Sequence, residues 1–100
     1  MSVTTTDDRK ILVPFDKREA VRLKEAAAIA NTSESTMRNW CDEYGLGRRI
    51  GSGPWLVSRV ALAMFLDGDL KALAAYHAGD RDDPRVVSFF EREGLQFLLK

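Results

Sequence analysis

The chain has 100 residues, 45% of them hydrophobic, and its 15 basic side chains are balanced by 15 acidic ones for a formal net charge of zero. That size fits one globular domain around a single core. The polar start over residues 1–10, and the lack of any apolar run near the roughly 20 residues of a membrane span, argue for a cytoplasmic protein with no signal peptide and no membrane segment. Cys41 is the sole cysteine and His77 the sole histidine, which excludes an internal disulfide and a thiolate or imidazole cluster, so no metal and no cofactor is expected.

Residues 1–10, rich in Thr and Asp with almost no apolar content, read as a disordered tail. Ile11-Leu12-Val13 is a short β-prone run ended by Pro14, Asp16 is placed to cap one helical turn, and residues 21–23 form a second extended piece. Residues 24–30, Lys-Glu-Ala-Ala-Ala-Ile-Ala, carry the highest helix propensity in the chain, and Asn31-Thr32-Ser33 stops that helix with residues that prefer caps and turns. A second helix follows at once over 34–44. Ser33 is its N-cap, Gly45 its C-terminal cap, and Met37, Trp40, Cys41 and Tyr44 form one apolar stripe at the i, i+3, i+4, i+7 spacing.

Gly47, Gly51, Ser52, Gly53 and Pro54 surround two short pieces, Arg48-Arg49-Ile50 and Trp55-Leu56-Val57, which predicts a β-hairpin with a flexible tip. Ser58 caps a helix over 59–66, Asp67-Gly68-Asp69 breaks it, and 70–78 forms another helix closed by Gly79. Asp83 as N-cap with Pro84 at the first helical position opens a last helix that runs to about residue 93, followed by the apolar tail 95–99, which covers the core or meets a neighbour. The fold class expected is mainly α with a small β-hairpin wing. It divides into the tail 1–10, a winged helix-turn-helix unit over 11–68, and C-terminal helices over 69–100 packed on the same core.

Two short helices joined by a three-residue turn and followed by a glycine-rich hairpin is the order of parts in a winged helix-turn-helix. If the stripe of the second helix is buried, Ser35, Thr36, Arg38 and Asn39 lie on its free side near the N-terminal end, and their hydroxyl, guanidinium and amide groups suit base edges and phosphates in a major groove. Arg48 and Arg49 alternate across a strand, so one of them at least is exposed beside that groove. The charge distribution permits this: residues 17–59 hold eight basic against five acidic side chains, whereas 60–100 hold five against seven.

Four stretches carry a family resemblance: Leu23-Lys24-Glu25-Ala26-Ala27; Thr32-Ser33-Glu34-Ser35-Thr36-Met37-Arg38-Asn39-Trp40; Arg48-Arg49-Ile50-Gly51; and Ser58-Arg59-Val60-Ala61-Leu62-Ala63-Met64-Phe65-Leu66. Over about residues 21–68 the chain resembles the excisionase and MerR-type winged-helix group. The resemblance implies a DNA-reading second helix, with Arg38 at phosphate or base beside Ser35, Thr36 and Asn39, and Arg48 or Arg49 in the wing. It also implies double-stranded DNA as partner, with a recombinase or RNA polymerase alongside and self-association on DNA. The long coiled coil and effector domain of MerR-type activators are missing from the pattern, so a metal-responsive activator is not expected.

Other classes fit less well. His77 stands among alanines with no nucleophile or paired carboxylate nearby, and the aspartates at 67, 69, 80, 82 and 83 lack calcium-loop spacing and read as caps and turns, so no enzyme is expected. The remaining alternative is a protein–protein adaptor on the same fold, which the zero net charge favours.

Overall fold

The computed structural model describes residues 13, 14, 16–49 and 51–99. The tail expected over 1–10, Ile11 and Leu12 of the expected extended run, and Ile50 of the hairpin lie outside them. The described residues form five α-helices and one small antiparallel sheet of three strands.

Asp16 opens a single 3-10 turn, Lys17–Glu19, with a capping box: its carboxylate accepts from the Arg18 N–H, and the Glu19 side chain accepts from the Asp16 N–H. Strand β1 (Ala20–Arg22) runs straight into helix α1 (Leu23–Ala30). Asn31 ends α1 in the left-handed region at φ 56°, and its N–H and that of Thr32 close on the carbonyls of Ala28 and Ala27. The hydrogen-bond pair is a Schellman motif with asparagine in the position glycine usually takes. Helix α2 (Glu34–Tyr44) starts where Ser33 accepts from the Thr36 N–H, and stops at Gly45 with φ 69°.

Strands β2 (Gly47–Arg49) and β3 (Trp55–Ser58) form the hairpin, and β3 lies in the middle of the order β1-β3-β2. The register places Val21 and Gly47 on either side of Val57, and Arg22 and Arg48 on either side of Leu56. Residues directly opposite one another in antiparallel strands point to the same face. One face therefore carries Val21 and Val57 into the core, and the other carries Arg22, Leu56 and Arg48 outward.

Helix α3 (Arg59–Leu66) begins on Ser58, whose hydroxyl oxygen accepts from the Ala61 N–H. Helix α4 (Leu70–His77) is capped by Asp69, and α5 (Pro84–Arg92) by Asp83 with Pro84 at its first position. The 3-10 turn Gln96–Leu99 packs on α5, burying Leu95 and Leu98 in the core while Phe97 stays exposed under the Arg18 guanidinium. The core runs through every helix, with Met37, Leu46, Val57, Val60, Leu62, Met64, Tyr76, Val86 and Phe90 almost fully covered.

A polar cluster sits inside this core. Glu19, Ser58 and Tyr76 are all buried, and one Glu19 carboxylate oxygen accepts from both the Ser58 hydroxyl and the Tyr76 phenol. An uncompensated carboxylate in the interior costs several kcal/mol, so these donors, with the Asp16 N–H on the other oxygen, make the position tolerable. The aspartates read as caps and turns do that work: Asp69 and Asp83 cap helices, Asp80 accepts from the Asp82 and Asp83 N–H groups, and Asp67 pairs with Arg92 at 3.0 Å.

No helix among the described residues is long and apolar enough to cross a membrane. Two expectations about packing are revised. Tyr44 is 39% exposed, resting its ring 4.7 Å from Phe65, because the stripe rolls out of the core at the last turn of α2. Trp40, part of the same apolar stripe, sits only half-buried at the margin of the core, as does Trp55 on β3.

Candidate nucleic-acid interface

The orientation of α2 follows from which side chains it buries. Met37 and Cys41 are fully enclosed, and Trp40 packs on Phe65 with ring centroids 5.1 Å apart. Helix α1 can lie close against this side because the residues it presents there are Ala26 and Ala27, both buried. At its far end α2 is held by α4: the His77 Nε2–H donates to the Gly45 carbonyl at 2.8 Å, and the imidazole occupies the space a side chain on Gly45 would need. Burial pushes the Cys41 thiol up to about 11, with the Asp42 carboxylate adding to the effect.

The opposite side of α2 is open. Ser35, Arg38 and Asn39 are exposed, and among the described residues their side chains make no hydrogen bond or ion pair. Thr36 differs from the other three candidates: it is half-buried, and its hydroxyl oxygen accepts from the Ser33 hydroxyl at 3.0 Å. The free side changes sign along its length. Arg38 stands in the second turn, near the helix end where main-chain N–H groups favour anions, whereas Asp42 and Glu43 follow in the last turns, both exposed. Glu34, exposed in the first turn one helical turn before Arg38, offsets that cation, so the N-terminal half offers a polyanion the Arg38 guanidinium and the helix end beside an acid, and the C-terminal half offers repulsion.

The hairpin separates its two arginines. Arg49 is exposed, and its guanidinium reaches across the tip to donate to the carbonyls of Gly53 at 2.9 Å and Ser52 at 3.3 Å. The tip expected to be flexible is thus tied to its own strand by a side chain that remains open to solvent. Arg48 points to the other face, half-buried, with its Nε enclosed and without a hydrogen-bond partner among the described residues. Only Arg49, then, is presented at the tip.

Several features of this region escape a reading of sequence pattern. Gly47 reads as a turn residue, yet it stands inside β2, where a Cβ would fall 2.3 Å from the Leu56 carbonyl oxygen. By contrast, the acidic pair Asp42 and Glu43, one helical turn beyond Arg38 and Asn39, continues the same exposed face by spacing alone. The contact between His77 and Gly45 joins residues 32 positions apart, with no local signal to announce it. Among the described residues, no group of His, Cys, Asp and Glu is arranged to hold a metal ion. Comparison with protein-family models, with characterised proteins and with solved structures yields no match.

Proposed function

We propose that the chain is a winged helix-turn-helix DNA-binding protein, in which α1 and α2 form the helix-turn-helix and the β2–β3 hairpin is the wing. In this reading it acts without enzymatic chemistry, as a small transcriptional regulator or as an excisionase-like factor that directs recombination. The observation that carries it is the exposed group Ser35, Arg38 and Asn39 on the N-terminal half of α2, whose other side is locked into the core by Met37 and Cys41. Arginine and asparagine one position apart give bidentate donors and acceptors for guanine and adenine edges, and Ser35 sits beside them for a phosphate. Thr36, engaged with Ser33, positions the helix start. Arg49 supplies the wing's contact to the phosphate backbone or minor groove, with Arg48 on the far face of the same hairpin.

The acidic residues Asp42 and Glu43 restrict the mode of docking. The helix enters a groove by its first two turns and lifts away at the last. Because the whole chain is neutral, affinity depends on these few cations rather than on a general basic field.

Fluorescence anisotropy of a labelled duplex pool, titrated with wild type and Arg38→Ala at about 50 and 200 mM salt, tests the reading. The expected result is binding that weakens steeply with salt and is largely lost in the variant. Absence of binding by the wild type at the lower salt overturns it.

A further inference from the structure

A second surface lies on the outer face of the sheet. An open groove of about 440 Å³ is lined by Lys17, Ala20, Val21, Arg22, Glu25 and Leu56. Its floor is apolar, made by Leu56 and Ala20, and two cations stand over it: Lys17 and Arg22 are exposed and, among the described residues, in no ion pair. The register adds Arg48 on the far side of Leu56, so the floor lies between arginines on the two outer strands, about 10 Å apart at the strand spacing. Against Lys17 and Arg22 the groove lining sets one carboxylate, Glu25, with Arg48 beyond its floor.

The backbone at this groove is also incomplete. Ser58 donates its N–H to the Leu46 carbonyl, toward β2, so by strand alternation Val57 turns its N–H and C=O toward β1 and pairs there with Val21. Ala20 and Arg22 consequently turn their main-chain groups to the open edge of β1. The Ala20 N–H is used by the Lys17 carbonyl, and the Arg22 carbonyl lies at the start of α1. What remains along the edge is the Ala20 C=O and the Arg22 N–H. An acceptor and a donor on residues i−1 and i+1 are the pair that a single residue of a parallel strand engages with its own N–H and C=O.

We infer that this edge takes a short, extended, acidic segment of a partner protein, which adds to β1 in the parallel sense and turns alternate side chains to the outer face, one apolar residue on Leu56 and Ala20 and carboxylates two residues to either side of it against Lys17 and Arg22. Strand addition of this kind draws affinity from main-chain hydrogen bonds and selectivity from side-chain seats beside them. The apolar floor distinguishes the surface from a phosphate-binding one, because a nucleic-acid backbone has nothing to place on Leu56. The inference stands apart from the DNA-binding reading and uses none of the exposed residues of α2.

The test is an amide chemical-shift titration of the full chain with the capped pentapeptide Asp-Ser-Val-Ser-Asp, whose valine and two aspartates share one face of an extended strand. The peptide is expected to move the signals of residues 20–22 and 56, and N-methylation of the serine that follows its valine, the residue whose N–H meets the Ala20 carbonyl, to abolish the effect. Reversing both cations in Lys17→Glu/Arg22→Glu is expected to weaken binding about tenfold, since two exposed attractions become repulsions. The exposed Lys71→Glu on α4 controls for net charge and is expected to bind as wild type does. No shift at any soluble peptide concentration, binding indifferent to N-methylation, or movement of the same amides by duplex DNA but not by peptide would each overturn the inference.

Discussion

The Tyr76 phenol donates to the Glu19 carboxylate at 2.5 Å, joining α4 to the 3-10 turn that precedes the sheet across 57 positions of chain. Both groups are fully buried. Tyr76→Phe removes a donor from the buried Glu19 side chain and is expected to lower stability by about 1–3 kcal/mol, the range for leaving a buried acceptor short of a partner. Glu19→Ala should cost more, about 3 kcal/mol or above, because it empties a packed interior position and leaves the Ser58 and Tyr76 hydroxyls only their mutual hydrogen bond at 3.2 Å. Urea unfolding of the two single variants and the double variant measures their coupling. A cycle in which the two costs simply add would show that the contact does not matter to stability.

Gly47 allows β2 to lie against β3. A Cβ there would meet the Leu56 carbonyl oxygen at 2.3 Å and the Val57 Cα at 2.8 Å, both of them backbone atoms that cannot rotate away. Gly47→Ala is therefore expected to cost about 2 kcal/mol or more, within the upper range for overpacking. Gly51→Ala, where nothing lies within 4 Å but φ is +58°, carries only the left-handed penalty of about 1 kcal/mol. Equal thermal shifts in the two variants would show that the hairpin yields at Gly47.

The Cys41 thiol is 2% exposed and, with its pKa pushed up to about 11, stays protonated at neutral pH. Only the thiolate attacks a disulfide reagent. The native protein at pH 8 is expected to react with an aromatic disulfide no faster than it opens, whereas the chain in concentrated urea reacts at once. Prompt reaction of the native protein would place α2 on the surface by its wrong side.

Two aspartates are expected to titrate late. The Arg18 guanidinium and N–H, hydrogen-bonded to Asp16, hold its carboxyl down at about 2, and the Arg92 guanidinium lowers Asp67 in the same way. A carboxylate whose pKa is depressed in the folded state stabilises that state above its unfolded value of about 4, and the contribution fades as pH falls through the folded value. For Asp16 the window is therefore pH 4 down to about 2. Carboxyl-carbon NMR should show the Asp16 midpoint return toward the ordinary range in Arg18→Ala, with Asp67 doing the same in Arg92→Ala.

On DNA, Asn39 and Arg49 should fail differently. Asn39→Ala is expected to relax base preference at about one position, at 1–3 kcal/mol of discrimination, while Arg49→Ala weakens all sequences alike and lowers the salt slope by about one. Binding-site selection with each variant separates the two, and identical profiles would contradict the division of roles.

Helix boundaries were legible because their punctuation is local: Ser33, Gly45, Ser58, Asp69, Asp83 and Pro84 announce caps within a few residues of where they act. The exposure of Ser35, Arg38 and Asn39 followed from a helical period laid over Met37 and Cys41. What stayed hidden depends on residues distant in sequence. The third strand pairs Ala20–Arg22 with the hairpin, and three residues carry too little pattern to reveal a partner more than thirty positions away. The burial of Glu19 reads, from sequence, as an unremarkable surface acid, since the donors that permit it come from β3 and α4. Tyr44 fell outside the core because periodicity marks a side of a helix, not how far the neighbouring elements extend along it.

The hydrogen bond from His77 to the Gly45 carbonyl ties the C-terminal end of α2 to α4, an element outside the α1–α2 pair. Transplanting residues 23–58 alone into another scaffold would carry over every candidate contact residue on α2 and the hairpin, but would leave behind the tie to α4. A graft that aims to keep the geometry of these candidate residues must therefore bring α4 along, and, on the DNA-binding proposal, position 77 gives directed evolution a place to act away from the proposed contacts.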